Sequence, residues 1–160
     1  QLMSVGRNMS LAALRTLTHL FQVKRKQEEA EISKGIEDVR VKAESASIGI
    51  TSLSGGNQQK VVISKWLVRN CDVLIFDEPT RGIDVGAKEE IYDLIEQLSG
   101  QGKAVIVISS ELPEVLRLSH RIAVMAHGRI TGFLNNEDAT QENIMELATV
   151  GKAQLKGTAA

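Results

Sequence analysis

The chain has 160 residues, a formal net charge of −1 and a single cysteine, Cys71. This length is enough for one ordinary domain with its own core. The small net charge excludes a global attraction to nucleic acid or anionic lipid. One cysteine excludes an intramolecular disulfide framework and fits a reducing compartment. No apolar run approaches the roughly 20 residues that span a bilayer, and we expect no signal peptide because the N-terminus lacks a compact hydrophobic block.

Helical patterns dominate the chain up to about residue 52. Asn8 and Ser10 are N-cap candidates for a first helix, whose apolar residues share one side: Leu11, Leu14, Leu17, Leu20 and Phe21. A second helix is predicted within residues 24–45, from an apolar stripe on a charged helix: Ile32, Ile36, Val39 and Ala43. Both stripes are most simply packing faces.

After residue 52 the pattern alternates between strands and helices. VLIF (73–76) and AVIVIS (104–109) are continuous apolar runs, which predict strands covered on both faces. The segment between them predicts a helix with Ile91, Leu94, Ile95 and Leu98 on one side, and therefore a βαβ crossover with a parallel sheet. A hairpin over 121–134 and a last helix capped by Thr140 follow. The predicted fold class is α/β.

Two adjacent carboxylates, Asp77 and Glu78, follow the first of these strands. Ligands of parallel sheets lie at the carboxyl ends of the strands, and a buried strand disfavours unpaired carboxylates. The alternation of the strand assigns Asp77 to a hydrated Mg²⁺ and Glu78 to the orientation or deprotonation of an attacking water. The alternative is an ordinary turn that continues into Pro79.

The stretch LSGGNQQK, residues 53–60, precedes a helical run. Ser54 is a candidate N-cap, and Gly55 and Gly56 allow a phosphate to approach the backbone closely. The positive end of the following helix would face that anion. The simpler interpretation of the same residues is a capped helix with a flexible hinge.

Together these motifs resemble the nucleotide-binding domains of ABC transporters. LSGGNQQK is similar to the signature motif, VLIFDE (73–78) to the Walker B strand and RGID (81–84) to the D-loop, and the resemblance extends from about residue 5 to 150. The spellings DEPTRGIDVGAKEEIY and SSELPEV resemble the C-terminal cassette of tandem sugar-importer ATPases of the ribose, galactose and autoinducer-2 type. The resemblance implies a partial P-loop NTPase domain with a RecA-like core: a helical subdomain (1–70), a core portion (71–150) and a flexible tail (151–160).

The chain departs from the family pattern at two places. It contains no Walker A loop of the form G-x-x-x-x-G-K-[ST]. We therefore expect the later part of a cassette, inactive as an ATPase when isolated and with exposed apolar patches that favour self-association. The H-loop histidine corresponds to Ser110, whose hydroxyl cannot replace an imidazole. The histidines are predicted to have structural or solvent roles: His19 in the first helix, His120 before a strand and His127 in a hairpin turn.

In this family each ATP lies between the Walker motifs of one cassette and the signature of another. The resemblance implies γ-phosphate contacts, to an ATP held by a second cassette, from Ser54, Gly55, Gly56 and Gln58. It implies that Asp84 bridges the two cassettes, and that Asp77, as the Mg²⁺ ligand, and Glu78 belong to the opposite pocket. Because Ser110 stands in place of the histidine, our hypothesis is that this opposite pocket is impaired. It further implies that transmembrane permease subunits are partners, that a periplasmic solute-binding protein is an indirect partner, and that nucleic acid is not a partner. The implied location is peripheral, at the cytoplasmic face of the inner membrane.

The resulting hypothesis is part of the ATP-hydrolysing subunit of an importer for a sugar or a similar solute, whose identity the sequence does not encode. One alternative is a non-enzymatic remnant or regulatory module that binds a cassette partner without turnover. Another is an ABC ATPase of the DNA-repair or chromosome-structure kind. That alternative expects a long heptad coiled coil, for which residues 24–46 are too short and too irregular.

Overall fold

The computed structural model describes residues 3–19 and 22–156. Its contacts divide the chain into two compact units, Gln1–Ile106 and Val107–Ala160. In the first unit the elements are α1 (Val5–Ser10), a 3-10 turn (Leu11–Ala13), α2 (Leu14–Leu17), β1 (Thr18–His19), β2 (Gln22–Val23), α3 (Arg25–Asp38), a 3-10 turn (Ile50–Ser52), α4 (Gly55–Leu67), β3 (Val73–Asp77) and α5 (Val85–Gly100). The strand β4 (Ala104–Ile108) contains the division. The second unit holds α6 (Leu112–Leu118), β5 (Arg121–Ala126), β6 (Arg129–Asn135), a 3-10 turn (Asn136–Asp138) and α7 (Gln141–Lys156).

The first helix begins earlier than predicted. Ser4 is its N-cap, and the Oγ of Ser4 accepts the N–H of Arg7 at 3.3 Å. Asn8 and Ser10 lie inside α1, so their prediction as caps is wrong. The side chain of Asn8 instead donates to the carbonyls of Met3 and Ser4, and buried Ser10 donates to Glu28 at 2.7 Å. The segment contains several residues of a type that caps helices, and the structure uses the first of them, Ser4.

The apolar stripe of the first helix is only partly confirmed. Leu17 is buried and Leu14 half-buried, whereas Leu11 is exposed. Leu20 and Phe21 lie outside the described residues. His19 lies in β1, which pairs with β2 in antiparallel fashion, so its prediction in the first helix is wrong. The single predicted helix is divided into α1, a 3-10 turn and α2. α2 ends at Leu17, and Thr18 after it has extended backbone angles.

The second predicted helix is confirmed as α3, but it ends at Asp38. Ile32 is buried within it, whereas Val39 is buried just beyond its end. The chain turns at Arg40, which has a positive φ of 50°. α1, α3 and α4 contact one another, and their apolar residues form much of the core of this unit: Val5, Met9, Ile32, Val61 and Ile63.

The predicted parallel strand pair is confirmed: β3 and β4 are neighbours in one sheet. The connecting helix α5 is also confirmed, with its apolar side buried at Ile91, Leu94, Ile95 and Leu98. The prediction that these strands are covered on both faces is wrong. Leu74 and Phe76 are buried, but Val73, Ile75 and Ile106 are 57%, 63% and 50% exposed. One face of the pair is therefore apolar and open within the described structure, as expected for a sheet with exposed apolar patches.

The second unit confirms the predicted hairpin and last helix. β5 and β6 pair in antiparallel fashion, and His127 and Gly128 in the turn have positive φ values of 51° and 75°, the geometry of a type I′ turn. Thr140 caps α7, because its Oγ accepts the N–H of Asn143 at 3.2 Å. The core of this unit contains Ile122, Val124 and Ile144. Among the helices in the described ranges, none has both the length and the apolar character required to cross a membrane.

Candidate functional site

The stretch 53–60 forms the start of α4. The helix begins at Gly55, and Ser54 occupies the N-cap position with extended backbone angles, as predicted. The Oγ of Ser54 makes no capping hydrogen bond and instead accepts from the Nδ2 of Asn57 at 3.0 Å. Because the first N–H groups of an α-helix have no partner within the helix, this turn presents backbone donors next to the exposed residues Ser54 and Gly55.

Gly55 and Gly56 have different surroundings. A Cβ added at Gly55 would meet nothing within 4 Å. A Cβ added at Gly56 would lie 2.6 Å from the Cβ of Ala87, on α5. Gly55 is therefore open to a ligand, whereas Gly56 allows two helices to approach each other closely.

The amides that follow bind parts of the same chain. The Oδ1 of Asn57 accepts the backbone N–H of Lys42 at 2.8 Å. The Nε2 of Gln58 donates to the carbonyl of Leu53 at 2.8 Å. Gln58 thus fixes the residue that precedes the N-cap through one N–H of its amide, which has two.

Asp84 stands at the start of α5 as its N-cap. Its Oδ1 accepts the N–H of Ala87 at 3.0 Å, the same residue that limits the space at Gly56. The structure therefore brings the first turns of α4 and α5 together, and with them the predicted residues Ser54, Gly55, Gly56 and Asp84.

Asp77 and Glu78 lie at the carboxyl end of β3, as predicted. Asp77 is its exposed last residue, and Glu78 is half-buried with a positive φ of 48°. A non-glycine residue in this region costs on the order of 1–3 kcal/mol, and such residues cluster at functional sites. The turn continues with the N–H of Arg81 donating to the carbonyl of Glu78 at 3.2 Å. Within the described residues, no group of three or more potential metal ligands occurs.

Ser110 belongs to the second unit and follows β4 as an exposed residue. The Oγ of the preceding Ser109 accepts the N–H of Glu111 at 3.0 Å. His120 lies just before β5 and His127 lies in the β5–β6 turn, so the predicted places of both are confirmed.

The sequence patterns did not indicate an ion pair between buried Lys60, at the end of the same stretch, and the more exposed Glu90. The Nζ of Lys60 lies 2.7 Å from the Oε2 of Glu90 on α5, and the Nζ of Lys42 lies 3.2 Å from its Oε1. The hydrogen bond from Lys60, followed by that from Lys42, lowers the pKa of Glu90. The only signal in the sequence is a lysine next to the apolar residues VVI, which a helix face of mixed polarity also explains.

The strand that ends in Asp-Glu, its parallel neighbour and the glycine-led helix define the class of fold: part of a P-loop NTPase domain. Solved structures agree on the fold. An ATP-binding cassette of an ABC transporter matches with a TM-score of 0.73 and 21% identity, covering 96% of this chain and 62% of that one. A dimeric cassette in a post-hydrolysis state with ADP and Pi matches with a TM-score of 0.69 and 21% identity, covering 84% and 57%.

The chain belongs to the ABC transporter family, whose pattern matches residues 2–81; cassettes of this family bind nucleotide. The ribose import ATP-binding protein RbsA of Clostridium perfringens is 54% identical over 147 residues, covering 91% of this chain. A protein of Burkholderia ambifaria, provisionally named a ribose/galactose/methyl galactoside import ATP-binding protein, is 53% identical over 149 residues, covering 92%. The chain spans 29% of the length of either relative.

Proposed function

We propose that this chain is part of the ATP-binding subunit of an ABC importer for a sugar or a sugar-like solute, and that it supplies the signature motif to an ATP held by a second cassette. The observation that carries the proposal is the first turn of α4. Gly55 is open, exposed and preceded by exposed Ser54, so backbone donors at a positive helix end are accessible to a phosphate. The likeness to import ATP-binding proteins supports the choice of an importer.

The residues have distinct roles in this proposal. Ser54 and Gly55 contact the γ-phosphate directly. Gln58 joins them through the second N–H of its amide, while the first stays bonded to the carbonyl of Leu53. Gly56 contributes its backbone while its missing side chain admits Ala87. Asp84, fixed as the cap of α5, faces the second cassette and bridges the two.

Asp77 and Glu78 serve the opposite nucleotide pocket. The exposed carboxylate of Asp77 at a strand end fits Mg²⁺, which takes one or two carboxylates together with waters and phosphates; the ion would neutralise phosphate charge. Glu78 orients the attacking water. Ser110 occupies the H-loop position without an imidazole, so we infer that this pocket hydrolyses ATP poorly.

The same proposal defines partners and location. The second cassette is either another part of the same subunit or another copy. Transmembrane permease subunits bind the pair of cassettes, and a periplasmic solute-binding protein acts indirectly through them. The protein then lies peripherally at the cytoplasmic face of the cell membrane. The proposed regions are a helical signature subdomain (1–70), a core portion (71–150) and a tail (151–160).

The test compares two substitutions in the intact protein, assembled with its partner cassette and permease. Gly55→Glu adds a negative side chain where a phosphate should bind, and we expect ATP turnover to fall more than about 100-fold, as when an anion-stabilising donor is lost. Glu78→Gln should reduce turnover less than about tenfold, because its pocket is impaired; a working general base contributes about 100-fold or more.

The control is Gly100→Glu, at another glycine of the same unit where an added Cβ meets nothing within 4 Å. It should leave turnover within about twofold of the original protein, since a surface substitution away from a site has little effect. Equal losses from Gly55→Glu and Glu78→Gln would contradict the proposed division of roles.

A further inference from the structure

α4 and α5 contact each other at two points that are about one helical turn apart. Gly56 faces Ala87, and Lys60 pairs with Glu90 at 2.7 Å. Residues four or three apart lie on the same face of a helix, so each helix uses one face for both contacts. Gly56 and Ala87 precede Lys60 and Glu90 in their helices, so α4 and α5 run in the same direction along this contact. Their first turns therefore lie side by side at one end.

The ion pair of Lys60 is unequal in its exposure. The Lys60 side chain is 5% exposed, whereas the Glu90 side chain is 44% exposed. The Nζ of Lys60 also donates to the carbonyl of Arg40 at 3.3 Å. A buried ammonium is costly unless it is paired, so the position of Lys60 is fixed by Glu90 and by this carbonyl. Such a pair adds little stability over an apolar pair of the same size.

The segment after α3 joins the same contacts. Its Arg40 carbonyl accepts from Lys60, the N–H of Lys42 donates to Asn57 on α4, and the Nζ of Lys42 pairs with Glu90 on α5. The segment after α3, α4 and α5 are therefore connected to one another through polar groups close to the start of α4.

We propose that Lys60 and Glu90 are positioning residues that hold the first turns of α4 and α5 in one fixed arrangement, so that Ser54–Gly56 and Asp84 meet the partner cassette together. Neither side chain needs to touch the nucleotide. The inference rests on the proposed function, since it concerns the arrival of the signature and the Asp84 turn at the same interface.

The test uses Lys60→Met in the intact protein with its partner cassette. Methionine keeps the volume of the buried stem and removes its charge. Glu90 is 44% exposed and keeps its contact with Lys42, so no buried charge is left unpaired and the melting temperature should stay close to that of the original protein. The kcat for ATP should fall about tenfold, because small displacements of positioned groups reduce rates by up to about 100-fold. The KM should stay within about twofold, because the partner's Walker motifs bind the ATP. Lys60→Arg, which keeps the charge, should retain at least about half of kcat.

The control is Glu89→Gln, the exposed neighbour of Glu90 on α5, which should leave kcat unchanged. A kcat for Lys60→Met within twofold of the original protein would overturn the proposal. An equal loss of kcat in Lys60→Arg would also overturn the proposal. So would a loss of kcat in Lys60→Met that is accompanied by a fall in its melting temperature, because a purely structural role of Lys60 explains either result.

A second readout separates this inference from the proposed function. Amide hydrogen exchange without nucleotide should be about tenfold faster in Lys60→Met at residues 58–61 and 88–91, and unchanged in α7 of the second unit. If Gly55→Glu leaves ATP turnover intact, the proposed function fails. Faster exchange in Lys60→Met would still support the role of Lys60 and Glu90 in holding α4 and α5 together. Unchanged exchange at residues 58–61 and 88–91 in Lys60→Met would overturn that role.

Discussion

The contact between Gly56 and Ala87 leads to a quantitative prediction for Gly56→Ala. The added Cβ would lie 2.6 Å from the Cβ of Ala87, closer than two methyl carbons can approach, so α4 and α5 have to separate. Overpacking of this kind costs about 1–3 kcal/mol, while replacing glycine by alanine in a helix returns at most about 1 kcal/mol. We expect a net loss of unfolding free energy of roughly 1–2 kcal/mol.

Gly55→Ala is the matched control. The substitution is chemically identical and one residue away, but its Cβ meets nothing within 4 Å. We expect no loss of stability and a gain of up to about 1 kcal/mol. The difference between the two variants therefore isolates the contact with Ala87 from the general effect of replacing a glycine.

Urea unfolding followed by tryptophan fluorescence is a suitable assay. Trp66 is the single tryptophan of the chain and lies on α4, so the signal reports the first unit rather than an average over both. Ala87→Gly removes the opposing methyl group, and the double variant Gly56→Ala/Ala87→Gly should recover stability, with a coupling energy of about 1 kcal/mol or more. Equal effects of Gly55→Ala and Gly56→Ala, or a coupling energy near zero, would refute the reasoning.

Two further predictions concern charge and the open sheet face. Because the folded-state pKa of Glu90 is lowered by Lys60 and Lys42, its stabilising contribution is present above the ordinary glutamate range and lost as the pH falls through the lowered value. The difference in melting temperature between the protein and Glu90→Gln should thus be constant above the ordinary glutamate range and shrink as the pH falls below it. A difference that does not change with pH would contradict this. Ile75→Thr should reduce self-association of the chain in sedimentation velocity, whereas Val85→Thr, at an exposed valine outside the sheet, should not; a monomeric original chain at high concentration would refute it.

Local patterns were sufficient for much of the fold. The β5–β6 hairpin was predictable because its turn needs positive φ values, which Gly128 supplies and His127 tolerates. Thr140 was predictable as a cap because the helix after it has a clear apolar side. The cap of α1 was not, since three cap-type residues lie within one helix length: Ser4, Asn8 and Ser10.

The open face of β3 and β4 shows a different limit of the sequence. A continuous apolar strand indicates that both faces favour burial, but it carries no information about what covers each face. Leu74 and Phe76 are covered in this structure, whereas Val73 and Ile75 are not. The existence of β3 can be predicted from its own residues. Which of its faces is buried depends on other segments, which the sequence of the strand does not describe.

The candidate site was predictable as a set of motifs but not as a set of separate roles. Gly55 and Gly56 are adjacent residues of the same type. Gly56 is a packing position because Ala87, far along the chain, lies against it, whereas Gly55 is open. The same holds for Lys60, whose burial depends on Glu90. A motif records which residue types are required at a spacing, whereas the reason for each requirement lies in contacts between distant segments.

Glu78 illustrates how the structure restricts the explanation of a motif residue. Its positive φ of 48° would suit glycine better, so the backbone at this position gives no reason for a glutamate. The preceding Asp77 ends the strand with ordinary extended geometry and is exposed. If the turn after β3 had only to reverse the chain, glycine would do so at lower cost in strain. A glutamate at this position is therefore explained by its side chain rather than by its backbone, and the role in water orientation proposed for it stays a prediction that Glu78→Gln tests.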